Sequence, residues 1–178
     1  MAEGERIRLF CALCLPDDAV EALAAWQREH LGGGRLVPPE NLHVTLAFLG
    51  ARPRSEVAAI VHELAEAADA ASRLSLFAER YRETRSVGMV VLRDDAGAGA
   101  SLAGELGRRL ERLGVYRPES RPWLPHVTVL RFREPPRLAP PVPALGEVSP
   151  SDAAVYSSVL RSEGAQYEVV QKVALGGR

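Results

Sequence analysis

Residues 6–15 alternate apolar and polar side chains and are rich in Ile, Leu, Phe and Cys, which predicts a half-buried strand ended by Pro16. Asp18 with Glu21 three residues on has the form of a capping box. Val20, Leu23, Ala24 and Leu31 then share one helical face, so a helix is expected up to Gly32-Gly33-Gly34. No strand precedes that glycine run and no Gly-Lys-Ser/Thr follows it, so it reads as a turn and not a phosphate loop. Residues 37–41 form an extended turn that feeds a strand at about 42–49, which Gly50 closes. Ser55 is placed to cap a second helix, with Val57, Ile60, Val61, Leu64 and Ala68 inward. A strand near 73–79, a charged turn over 79–85 and a central strand over 87–92 follow. After a flexible turn at 94–99, a third helix runs from about Ser101, with Leu102, Leu106, Leu110 and Leu113 inward and Gly114 as its stop. A loop over 117–125 carrying Trp123 leads to a strand at about 125–131. A proline-rich connector over 135–143 precedes two strands, 152–161 and 165–174, paired as a hairpin.

A larger period lies over this one. Strand, helix, proline-containing turn and strand describe residues 6–49, and the same order describes 87–131. Two related halves with a pseudo-twofold relation are expected, and that arrangement would set the two later strands side by side. At 178 residues the chain is read as one domain, 1–178, of two intertwined lobes, with 47% hydrophobic residues to fill a core. The net charge of −1 supplies no global field for polyanions. Lys172 is the only lysine, so compositional bias explains most of the arginines, and paired donors for phosphate explain at most some. Cys11 and Cys14 form a C-x-x-C inside the first strand, where residues three apart face opposite ways; plain buried thiols are expected. Glu3, Glu5, Arg6 and Arg8 break any N-terminal apolar run, and no stretch reaches membrane-spanning length, so a cytoplasmic location with no membrane partner is expected.

The chemistry concentrates in the two corresponding strands. His43-Val44-Thr45-Leu46 and His126-Val127-Thr128-Val129 use two of the four histidines and two of the three threonines. On a strand, residues two apart point the same way, so each copy presents one imidazole and one hydroxyl on a single face, with Val44, Leu46, Val127 and Val129 toward a core. One imidazole can serve as general base while the other, protonated, serves as general acid. The hydroxyls can donate to the equatorial oxygens of a phosphate held between them, which is the layout in-line displacement at phosphorus needs. No acidic neighbour stands on either face for a metal, and no G-x-S-x-G elbow is present for a Ser-His-Asp triad. His30 and His62 read as surface residues. Arg131 lies five residues after His126 and reaches the same face only where the strand ends or bulges near Leu130. Arg121, Arg133 and Arg137 form either a basic rim or a solvated face. Trp123 suits base stacking as well as a core or lid position.

These pieces, together with the segments at 8–13, 37–50, 125–131, 156–160 and 164–169, resemble the two-histidine (2H) phosphoesterases over nearly the whole chain. The flanks most closely resemble the bacterial and archaeal RNA 2′,3′-cyclic phosphodiesterases, long called 2′-5′ RNA ligases. The resemblance implies an α+β, bilobal pseudo-twofold fold with antiparallel sheets lining a central cleft and helices outside. It implies metal-independent, cofactor-free hydrolysis of a 2′,3′-cyclic phosphate on an RNA end or nucleotide to a 2′-phosphate, with reversible joining of 2′-5′ linkages as a related activity. Carried over residue by residue, His43 is the proton donor, His126 the proton acceptor, and Thr45 and Thr128 hold the phosphate; Arg131, from its place on the strand, is either a further phosphate contact or a solvated strand-end arginine. The motif symmetry by itself does not assign acid and base. A monomer is expected. Two other readings stay open: a nucleotide- or RNA-binding module without turnover, and a phosphodiesterase for a small non-RNA cyclic phosphate.

Overall fold

The structure, a computed structural model, describes residues 4–177, so the part of the N-terminal reading that rests on Glu3 lies outside it. The first strand, β1 (Arg6–Cys14), leads to helix α1 (Asp17–His30), a two-residue strand β2 (Arg35–Leu36) and the first motif strand β3 (His43–Pro53). Helix α2 (Val57–Asp69), strands β4 (Phe77–Glu83) and β5 (Val87–Arg93), helix α3 (Ala98–Arg112) and the second motif strand β6 (His126–Arg131) follow. The chain closes with the hairpin β7 (Asp152–Arg161) and β8 (Gly164–Ala174). Every strand pair is antiparallel, and the order across the sheet is β4-β5-β6-β3-β1-β7-β8, with β2 beside β6. Antiparallel strands with helices gathered on one side make an α+β fold.

The expected pairing of motif strands is present. β3 and β6 touch at Val44 opposite Val127, and the order repeats outward from that contact. β5 flanks β6 as β1 flanks β3, and β4 lies beyond β5 as β7 lies beyond β1. β8, beyond β7, has no counterpart, and neither has the two-residue β2 beside β6.

One side of the sheet carries the main core. Leu9 and Leu13 of β1, Val44 of β3 and Val127 and Val129 of β6 meet Leu23 and Trp26 of α1, Ile60 and Leu64 of α2, and Leu102, Leu106 and Leu110 of α3. Burying each such side chain fully contributes about 1.5–3 kcal/mol. The other side carries a smaller layer of Phe10, Ala12, Ala154 and Tyr156 against Cys14 and Tyr167. The two cysteines therefore face opposite ways as expected, both as free thiols; burial pushes the Cys11 thiol up to about 12, which keeps it unreactive.

Several local expectations differ from the structure. β4 runs through Glu83, so the charged stretch is strand and the turn is at 84–86. β4 ends the sheet, and an edge strand exposes one face of alternating charges that imitates a turn in sequence. α1 begins at Asp17 after Pro16 with no side-chain cap, since Asp18 bonds only the amide of Ala19, and α2 begins at Val57 with Ser55 inside a preceding 3₁₀ turn. α3 begins three residues early, and Leu113 is exposed past its end because the last turn rotates it out of the core.

Candidate active site

Each motif histidine opens its strand and is held by the same device. His43 Nδ1 lies 2.7 Å from the carbonyl oxygen of Asn41, and His126 Nδ1 lies 2.8 Å from that of Leu124. A carbonyl only accepts, so Nδ1 of each ring carries the hydrogen and Nε2 is left for chemistry. His43 Nε2 is 3.1 Å from Thr45 Oγ1, so in the neutral ring the hydroxyl donates to it. His126 Nε2 has no hydrogen-bond partner among the described residues.

The register gives the layout. With Val44 opposite Val127, His43 stands across from Thr128 and Thr45 across from His126. The four side chains form a quadrilateral with like residues on the diagonals, and such diagonal positions lie roughly 7–8 Å apart in an antiparallel pair. That separation leaves room for one phosphoryl group between the imidazoles. His43, Thr45, Thr128 and Arg131 line a cleft of about 230 Å³, closed on other sides by Phe10, Phe48 and Tyr167. His126 sits half-buried at its margin, across the strand pair from Thr45.

Arg131 reaches the cleft through the required bulge. Against β5, Thr128 pairs with Met89 and Leu130 with Gly88, so Val129 has no partner there. The extra residue keeps Val129 and Leu130 both buried and turns Arg131 onto the histidine face. β3 does the same. Thr45 pairs with Ala12 and Ala47 with Cys11, Leu46 is skipped, and Phe48 emerges into the cleft, 54% exposed. Phe48 and Arg131 are thus corresponding positions of the two halves, one apolar and one cationic.

Three positioning residues were not legible as such. Gln27, on the buried face of α1 and only 2% exposed, donates from Nε2 to the carbonyls of Val37 and of Val129, the bulge residue, at 3.0 and 2.7 Å. Asn41 donates to the carbonyl of Ala165 at 3.0 Å and so ties the His43 support to the β7–β8 hairpin. Trp123 donates from Nε1 to the carbonyl of Thr45 at 3.0 Å while its ring joins the core, a structural position rather than a stacking platform. The only signal for the first two was a polar residue on an otherwise apolar face or beside the motif.

The remaining candidates do not converge on the cleft. Arg121 pairs with Glu119 at 3.6 Å, and Arg137 is held by its backbone amide to Glu83. His62 is exposed on α2, while His30, half-buried, lies 3.7 Å from Glu29 rather than being a free surface group. Among the described residues no three His, Cys, Asp or Glu side chains gather as a metal site would need, and no helix is long and apolar enough to cross a membrane.

The His43 imidazole is desolvated. Burial holds His43 down to about 4, with smaller contributions from the charges of His126 and Arg131 and an opposing one from the bond to Asn41. Its ring packs on Phe10, centroids 4.9 Å apart, and meets Tyr167 edge-on at 5.5 Å. In the free protein near neutral pH, His43 is therefore an uncharged imidazole.

Comparison with known proteins agrees with this fold. Residues 13–87 match the family model described as LigT like Phosphoesterase. An RNA 2′,3′-cyclic phosphodiesterase of Thermus thermophilus is 31% identical over 96% of this chain and 91% of that protein. One of Escherichia coli is 29% identical over 97% of this chain and 98% of that protein. Among solved structures, a protein of Thermus thermophilus superposes with a TM-score of 0.82 at 29% identity, covering 96% of this chain and 99% of the other. Escherichia coli LigT complexed with ATP superposes with a TM-score of 0.77 at 25% identity, over 96% and 99% of the two chains. On sequence, fold and length together, the chain belongs to the LigT-like phosphoesterases, the family of the RNA 2′,3′-cyclic phosphodiesterases.

Proposed function

We propose that this protein hydrolyses the 2′,3′-cyclic phosphate of an RNA end or nucleotide to a 2′-phosphate, with His126 as general base and His43 as general acid. The observation that carries the reading is the quadrilateral of two imidazoles and two hydroxyls on one face of the β3–β6 pair, three of them lining the cleft and His126 at its margin, with both Nδ1 atoms tied back to carbonyls. Water attacks phosphorus and gives its proton to His126 Nε2. The bond from phosphorus to O3′ breaks, and O3′ takes a proton from His43 Nε2. The products are a 2′-phosphomonoester and a free 3′-hydroxyl, with His126 now protonated and His43 neutral; exchange with solvent resets the pair. Thr45, Thr128 and Arg131 donate to the non-bridging oxygens, whose negative charge grows in the transition state.

The low proton affinity of His43 fits this assignment only when substrate is bound. A phosphodiester carries one negative charge into the buried end of the cleft, and that charge favours the protonated ring. Proton uptake by His43 thus accompanies binding, and the uptake readies the acid that the leaving oxygen needs. The curated relatives bear the phosphodiesterase name, and the Escherichia coli protein has been solved with ATP and with NADP+, consistent with a nucleotide-sized cleft.

The test is purified protein with EDTA and a 2′,3′-cyclic nucleotide or RNA end. Formation of the 2′-phosphate alone is expected, with kcat falling about 10²–10⁴-fold in His43→Ala and in His126→Ala. Undiminished rates in either variant overturn the scheme. Tight binding of nucleotide monophosphates with no turnover of any cyclic phosphate would favour a binding module. Faster turnover of a mononucleotide than of a short RNA end would favour a small-molecule substrate.

A further inference from the structure

A second cavity adjoins the cleft and shares two of its walls. It is a shallow groove of about 820 Å³ bounded by Gly33, Gly34, Arg35, Arg131, Arg133 and the Pro135–Pro136 segment. Arg35 and Arg131 line both cavities, so the groove opens directly from the reacting centre. Its floor is backbone. A Cβ on Gly34 would collide with the carbonyl oxygen of Arg131, and one on Gly33, at φ 77°, would strike Pro136. The glycine run is therefore more than a turn: it lets β2 lie against β6 and leaves the groove without side chains along that edge.

The charges in the groove are unbalanced. Arg35 and Arg131 are register partners on neighbouring strands, and like charges directly opposite one another destabilise a sheet. Arg133 follows two residues on. Among the described residues none of these three guanidiniums forms an ion pair, although Glu134 lines the same groove. Arg35 is steadied instead by the carbonyl of Glu163 at the tip of the β7–β8 hairpin, which leaves its charge uncompensated. Planar paired donors without a counterion match a phosphoryl group better than they match water.

We propose that this groove is a second phosphate subsite, which takes the phosphoryl group on the 5′ oxygen of the terminal nucleoside through Arg35 and Arg133. The inference rests on the phosphodiesterase reading above and narrows its substrate class to strand ends over free mononucleosides. When the cyclic phosphate lies between the histidines, the next group of the same charge is one nucleotide back along the chain. Arg131 stands at the boundary between the two phosphates, and the groove is the cavity that continues past it.

The experiment compares the affinity of three probes by calorimetry: adenosine 2′-phosphate, the same with a 5′-phosphate, and the dinucleotide ending in a 2′-phosphate. The parent protein is expected to bind the dinucleotide about three- to tenfold more tightly than adenosine 2′-phosphate. That advantage should disappear in Arg133→Ala, with affinity for adenosine 2′-phosphate unchanged, and Arg133→Lys should restore part of it. The salt dependence of dinucleotide binding should lose a slope of about 0.7 in the Ala variant. A gain on the 5′-phosphorylated mononucleotide as large as that on the dinucleotide supports the phosphate subsite and assigns it to the phosphoryl group alone. Equal affinity for all three probes in the parent, or an advantage that survives in Arg133→Ala, overturns the subsite. Turnover of adenosine 2′,3′-cyclic phosphate, measured in parallel, separates the two readings. Turnover without a dinucleotide advantage removes the groove and spares the phosphodiesterase, whereas an Arg133-dependent advantage without turnover does the reverse.

Discussion

His43 is where burial and chemistry pull in opposite directions. Its ring is walled by Phe10 and Tyr167 and its folded-state value lies near 4, against an ordinary 6.5. The unfolded chain therefore takes up this proton first as pH falls. Stability from this group is whole above 6.5 and is lost as pH drops toward 4, by up to roughly 3 kcal/mol. Urea unfolding at pH 7 and pH 4.5 measures it: the parent should lose more stability on acidification than His43→Gln, by about that amount. Equal losses would show that the ring is not desolvated as described. A phosphate ligand should reduce the acid loss in the parent, because the bound anion favours the protonated ring that burial disfavours.

At the scale of elements, two β-bulges decide which side chains face the cleft, and a single helix residue braces one of them. Gln27 Nε2 spans the carbonyls of Val37 and Val129, so it fixes the backbone from which Arg131 departs. Gln27→Leu keeps the volume, strands the Val37 carbonyl in the core and removes one of the two donors to the Val129 carbonyl, which keeps the Val37 amide, at a cost of about 1–3 kcal/mol. Urea unfolding should register that loss, and a rise in KM larger than the fall in kcat should accompany it if Arg131 holds the phosphate as proposed. A variant of parent stability and parent KM would remove Gln27 from any positioning role. This element also marks the limit of what the sequence discloses. The His-x-Thr repeats, the alternation of β1 and the helical faces of α1, α2 and α3 were all legible, because period and residue type carry them. Arg131 was legible only conditionally, since a bulge breaks the period of two and nothing local in Val129-Leu130 announces it. Gln27 was illegible because its role depends on two carbonyls distant in sequence, and a lone glutamine on an apolar face carries no periodic signal. The strand at 79–83 was misread for the opposite reason: edge exposure gave it the composition of a turn.

For the whole molecule, near-twofold order makes the site and departure from it makes the site work. The repeat about the β3–β6 contact brings together two copies of one His/Thr pair, yet an acid and a base must differ. β8 has no counterpart beyond β4, and it stands on the His43 side. It contributes Tyr167 to the wall of that ring and the Ala165 carbonyl that holds Asn41, whose own carbonyl orients His43. The half containing His126 has β5 and β4 beyond its motif strand and β2 beside it, and among the described residues no aromatic ring packs on His126 as Phe10 and Tyr167 pack on His43. A strand without a counterpart thus helps to desolvate the His43 imidazole. Tyr167→Ala should admit water beside His43 and raise its titration midpoint toward 6.5, followed by the ring carbon-bound proton signals in NMR. The His43 ring should then bind its proton before substrate arrives, so the proton uptake that accompanies nucleotide binding at pH 6 should shrink in calorimetry across buffers of different ionisation enthalpy. A midpoint that stays near 4 in Tyr167→Ala would mean that the aromatic wall from β8 does not set the difference, and the asymmetry would have to arise from the β1 side, through Phe10.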